Sequence, residues 1–236
     1  MARPKYPKSS GPLPPPLPPE TRTVGQLVGE TLKLYGDRWL AALAIGLPAA
    51  ILSSVTTTFS RAETLAVVPI AGALAVTFSF LIASSVVTGV SLRSREARTA
   101  FLVGVVIYLP FPFLAVLFVL PGLAWFALIG LALPATLAEG LSFRRAFGRG
   151  IELGRADYAH ALGGLATLTI LVFITQIAVS QVLQNFADNS ERIAAFLAGL
   201  VLSPLIFLGA ALLYLDQSAR VRHPRSGRAA KRAATR

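Results

Sequence analysis

The chain has no cysteine and two histidines. Disulfides, thiolate metal sites and cysteine nucleophiles are therefore excluded, and cysteine usage says nothing about redox compartment. His160 and His223 lie far apart in sequence and form neither a metal-ligand spacing nor a Ser-His-Asp set. Charge is scarce too, at 14% of residues against 54% hydrophobic, with mean hydropathy +0.66. That is more apolar material than a soluble domain of 236 residues hides, so the chain needs a bilayer. The N-terminus lacks the apolar core and small-residue cleavage site of a secretory signal, so no cleavage is expected there.

What charge exists is lopsided: 22 Lys and Arg against 11 Asp and Glu, a net +11. These residues occupy short loops and tails between apolar blocks, which argues for membrane topology and against a nucleic-acid-binding face. Residues 1–22 carry eight prolines and read as an extended, disordered cytoplasmic tail. Residues 217–236 form a basic cytoplasmic tail suited to an anionic inner leaflet.

Between the tails, 23–216 reads as a membrane domain. Two amphipathic surface helices are expected at about 23–38 and 141–157. The first places Val24, Leu27, Val28, Thr31 and Tyr35 on one face; the second aligns Phe143, Phe147, Ile151 and Gly154. Spans are expected at about 39–58, 64–92, 159–183 and 193–215. Ala100 to Ala138 holds 39 residues without a charge, about 58 Å of helix against a hydrocarbon core of about 30 Å, so it divides into two spans. The expected break is Pro121-Gly122, with Pro110 and Pro112 as kinks. The fold class is thus all-α and polytopic, with six transmembrane helices and two interfacial ones. With six spans, 20 of the 22 Lys and Arg fall on one side and two, Arg61 and Arg192, on the other. The positive-inside rule then puts both termini in the cytoplasm.

A shift of 119 residues aligns Gly29 with Gly148, Leu32 with Ile151, Leu34 with Leu153, Trp39 with Tyr158 and Leu43 with Leu162. Both a duplication and the shared grammar of a surface helix entering a membrane account for this.

Ionisable residues inside spans mark ion and substrate sites, and here there are almost none. Glu139 and Asp216 sit at the cytoplasmic ends of spans near arginines. With Arg144, Arg145 and Arg220 they form the candidate headgroup or ligand site, or else topology-fixing salt bridges; Asp216 and Arg220 have (i, i+4) spacing. Thr169, Gln176 and Ser180 form a polar line expected to face other helices. No catalytic, metal or cofactor site is expected.

The segments TVGQLVGETLKLYGDRW, LPATLAEGLSFRRAFGRGIELGRADY and LLYLDQSARVR resemble the membrane domain attached to some bacterial glycerophosphoryl diester phosphodiesterases, and stand-alone membrane proteins of that group. The shared landmarks here are Glu139, Gly140, Arg144, Arg145, Tyr214 and Asp216. The resemblance implies an inner-membrane protein; the hydrolysis of the two-part relatives belongs to a soluble barrel for which this sequence has no room. The expectation is a non-catalytic membrane scaffold, or a module contacting lipid, anionic inner-leaflet headgroups and a membrane or envelope protein. The alternative is a transporter of a neutral or amphipathic solute.

Overall fold

A computed structural model describes residues 17–56, 59–110, 113–114, 119–183 and 190–222. Among them there is helix and no strand. The Pro-rich segment up to 16, Pro112, much of the NFADNSER turn and the tail from 223 lie outside the described residues.

The elements are α1 (Val24–Asp37), α2 (Trp39–Thr56), α3 (Arg61–Thr88), α4 (Arg95–Tyr108), α5 (Val119–Trp125), α6 (Ala132–Glu139), α7 (Phe143–Ala156), α8 (Tyr158–Leu183), α9 (Ser190–Leu197) and α10 (Ser203–Arg222). A π-helical segment, π1 (Phe126–Gly130), joins α5 to α6, and a second, π2 (Ala198–Leu202), joins α9 to α10. Five helical stretches are long and apolar enough to cross a membrane: Trp39–Thr56, Val67–Thr88, Leu120–Glu139, Tyr158–Val179 and Ala195–Arg222. This is a membrane protein, with α1 and α7 as its short amphipathic helices.

Local sequence explains the element ends. Thr23 caps α1 in a capping box with Gln26, and Ser60 caps α3 with Glu63 in the same way. Gly89 and Gly140, at φ 74° and 63°, close α3 and α6 in the left-handed conformation. A single non-helical residue, Arg38 or Asp157, separates each amphipathic helix from the span that follows. The 119-residue shift therefore maps the bounds of α1 onto those of α7, and the start of α2 onto the start of α8.

The charge-free stretch does fold as an antiparallel pair, but its break is not at Pro121-Gly122. Across the pair, Tyr108 Oη donates to the Gly130 carbonyl (2.9 Å) and Trp125 Nε1 donates to the Ile107 carbonyl (2.9 Å). Pro121-Gly122 lies inside α5, in its opening turn. Proline is tolerated there because the first backbone N–H groups of a helix have no partner within it. Leu109 and Pro110 form a bend after α4, and the Leu114 N–H returns to the Pro110 carbonyl (3.1 Å).

The core lies between α3, α4, π1, α6 and α10. Phe80 packs against Tyr108, Phe126 and Phe207, with ring centroids 6.1, 5.3 and 6.4 Å apart. Lipid is as apolar as such a core, so close packing has to supply specificity. Glycines supply the closest approaches, and both π segments receive one. A Cβ on Gly154 of α7 would stand 2.2 Å from the Leu128 carbonyl oxygen, and one on Gly46 of α2 would stand 2.1 Å from that of Leu200. Leu128 and Leu200 are each the third residue of a π segment. The widened π turn turns its backbone toward a helix that has no side chain in the way.

Gly154→Ala is therefore expected to destabilise the protein by about 1–3 kcal/mol through overpacking against backbone. Gly148, on the exposed side of α7 with nothing within 4 Å, provides the control: Gly148→Ala is expected to gain about 0.5–1 kcal/mol of helix propensity. Thermal unfolding of the two variants in detergent checks the pair.

Candidate functional site: a polar layer at the basic end

The last helix, α10, continues past its apolar segment through Tyr214-Leu215-Asp216-Gln217-Ser218-Ala219-Arg220. Four of these side chains reach three other parts of the chain: Arg22 before α1, Glu139 at the end of α6 and Asp157 between α7 and α8. Asp216 is fully buried and pairs through Oδ1 with Arg22 Nη1. Arg22 is buried because the Thr23 cap starts α1 immediately after it, while Leu27 seats α1 on Gly164 of α8, where a Cβ would lie 2.9 Å from Leu27 Cδ2. The other Arg22 nitrogen, Nη2, meets Glu30 at 2.8 Å. His160 Nε2 lies 3.6 Å from Asp216 Oδ2.

Gln217 brackets the break residue between α7 and α8. Its Oε1 accepts from the Asp157 N–H (3.1 Å) and its Nε2 donates to the Asp157 carbonyl (3.1 Å). The Asp157 carboxylate in turn accepts from the His160 N–H (3.1 Å), capping α8, and pairs with Arg220 Nη1. Arg220 Nη2 donates to the Arg22 carbonyl (3.0 Å). The start of α1 and the end of α10 thus lie side by side.

Tyr214 serves the other amphipathic helix. Its hydroxyl donates to Glu139 Oε1 (3.1 Å), and Glu139 receives Arg149 through Nε (3.0 Å to Oε2) and Nη2 (3.0 Å to Oε1). Arg149 also reaches Glu152 at 2.8 Å. The forked hydrogen bonds to Glu139, and then those to Glu152, raise the Arg149 pKa above its ordinary value.

The expected ligand set is therefore divided among different partners. Glu139 meets Arg149, whereas Arg144 and Arg145 are exposed, Arg145 donating to Ser142 Oγ (3.1 Å). The (i, i+4) pairing of Asp216 with Arg220 does not form even though the helix continues: Asp216 takes Arg22 and Arg220 takes Asp157. Arg22 and Asp157 escaped notice because their partners lie far away in sequence, and Arg149 because its partner Glu139 belongs to the preceding helix. For Arg22 and Asp157 the one local signal was that each stands at or near a helix start or break.

The polar line of α8 is spread over different surroundings. Thr169 is half-buried and its Oγ1 is buried without a hydrogen-bond partner, Gln176 is exposed, and the Ser180 side chain lies outside the described residues. Among the described residues no three His, Asp or Glu side chains gather closely enough to hold a metal ion.

Fold and polar layer together define an all-helical membrane protein whose deepest ionisable groups, where α1, α7 and α10 meet, pair with one another. Compared with family models, curated proteins and solved structures, the chain matches none.

Removing one partner of a buried ion pair leaves the other charge uncompensated. Asp216→Ala is expected to cost about 3–5 kcal/mol. Glu139→Gln, in a half-exposed cluster where Arg149 keeps Glu152, is expected to cost about 1 kcal/mol. Unfolding midpoints of the two variants, compared under one detergent condition, check the ranking.

Proposed function

We propose that this protein is a non-catalytic, six-span inner-membrane scaffold whose basic face holds two surface helices against an anionic cytoplasmic leaflet and presents them to lipid or to a membrane partner. The observation that carries the proposal is the polar layer itself. Its carboxylates and guanidiniums are engaged by each other and tie α1, α7 and α8 to α10. That arrangement serves architecture; groups poised for proton transfer would be left open to a substrate.

The contact between Arg22 and Arg220 supports an even number of crossings, with the two ends of the membrane domain on one face. Five crossings come from the long apolar stretches. The sixth is α4, whose 14 residues span about 21 Å. A distribution of 20 Lys and Arg against two supports the cytoplasmic assignment of that face. Gln176, on which a transport path would depend, is on the exposed side of α8. The similarity to the membrane domain of glycerophosphoryl diester phosphodiesterases remains part of the proposal, through Glu139, Tyr214 and Asp216.

The absence of native cysteine allows a direct test. A membrane-impermeant maleimide added to intact cells is expected to label Ser60→Cys and Asn189→Cys. The variants Ser9→Cys, Ser91→Cys and Ser226→Cys are expected to label only after the membrane is opened. Labelling of Ser9→Cys and Ser226→Cys from opposite sides overturns the six-span arrangement, and saturable solute flux in proteoliposomes overturns the scaffold function.

A further inference from the structure

The exposed apolar side chains of α3 and α4 form two parallel stripes, Val67, Ile70, Leu74 and Phe78 on one helix and Leu102, Val106 and Leu109 along the other. Spacings of three and four residues keep each stripe on one face. Beside them lies a shallow, mostly open apolar hollow of about 440 Å³, lined by Phe78, Leu81, Leu92, Arg98, Phe101 and Leu102. Phe78 and Phe101, both in its lining, pack ring against ring with centroids 4.8 Å apart.

Two features of this groove point to the same occupant. The first is reach. Phe78 precedes the end of α3 at Thr88 by ten residues, about 15 Å of helix, so the apolar lining reaches from near the interface toward the middle of a core about 30 Å thick. The second is charge. Arg22, Arg149 and Arg220 are bound into the polar layer, whereas Arg93, Arg95 and Arg98 form no ion pair among the described residues. Glu96, the acid among them, is bonded back to its own backbone N–H and to Ser94. An apolar hollow thus lies beside three guanidiniums that form no ion pair among the described residues, Arg95 sharing only the field of the neighbouring Glu96, and guanidiniums are the donors best suited to a phosphate.

We propose that the groove between α3 and α4 binds one acyl chain of an anionic phospholipid, with Arg98 and its neighbours Arg93 and Arg95 holding the headgroup phosphate. The proposal rests on the six-span reading, which puts this end of the bundle at the inner leaflet. The polar layer engages the arginines nearest α10, whereas Arg93 and Arg98, before and within the start of α4, form no ion pair among the described residues. A zwitterionic lipid fits the groove equally well but gains less beside the arginines, because its headgroup carries its own cation.

The test uses the full chain in mixed bilayers. Leu102→Cys, carrying an environment-sensitive fluorophore, reports on the groove wall, and spin-labelled lipids quench it. Phosphatidylglycerol is expected to quench at about a fivefold lower mole fraction than phosphatidylcholine, the preference expected of one arginine at an anionic headgroup. Arg98→Gln is expected to bring the two lipids within about twofold. Arg144→Gln, which removes an exposed charge of α7 outside the groove, is expected to leave the preference intact. If Arg98→Gln does not fold, Arg93→Gln/Arg95→Gln supplies the same comparison. Equal quenching by both lipids in the unmodified background overturns the proposal, and so does a preference that survives loss of the arginines. Either result leaves the cysteine-labelling pattern standing, so a failure here is distinct from a failure of the topology.

Discussion

The buried contact between Arg22 and Asp216 is the interaction on which the rest of the structure depends. A carboxylate with no solvent exposure at the end of a membrane helix is costly unless it is paired and hydrogen-bonded. That requirement fixes where the start of α1 lies. Once Arg22 is at Asp216, its carbonyl accepts from Arg220, Arg220 reaches Asp157, and Gln217 holds the backbone on both sides of Asp157. Each contact positions the next. The short run from Tyr214 to Arg220 thereby orients both amphipathic helices, one through Arg22 and the other through Glu139 and Arg149.

Close backbone packing does for the apolar part what this layer does for the polar end. Hydrophobic burial does not distinguish helix from lipid, so Gly154 on π1 and Gly46 on π2 supply specificity through shape. Both contacts pair a π segment with a glycine one helix away, and the helices carrying those glycines, α7 and α2, belong to the two parts of the chain related by the 119-residue shift. The breaks at Arg38 and Asp157 repeat in the same register. Gln217 brackets the second break, at Asp157, so that break carries the constraint.

Much of this was legible in the sequence, for identifiable reasons. The apolar blocks, the basic loops and the paired surface helices follow from periodicity and charge, which act locally. Glu139, Asp216 and Arg220 stood out because each is a charge at the end of an apolar run. Their partners did not. Arg22 and Asp216 are 194 residues apart, and the (i, i+4) spacing of Asp216 and Arg220 offered a local pair that a deeper tertiary pair displaced. Pro121-Gly122 looked like a break because proline ends helices, yet the same residue is at home in an opening turn. The π segments carry no local marker of their own. What favours them is a missing side chain on another helix.

The central claim is that Arg22 and Asp216 act as one unit, and a double-mutant cycle measures this directly. Arg22→Met leaves the buried Asp216 carboxylate without its guanidinium and Asp216→Leu leaves Arg22 with Glu30 alone, whereas the double variant keeps neither member of the buried pair and frees only the partly exposed Glu30. With thermal unfolding in detergent as the readout, each single variant is expected to lose stability and the double variant to recover most of the loss, giving a coupling of about 2–3 kcal/mol. Additive losses, with a double variant less stable than either single one, would contradict the account.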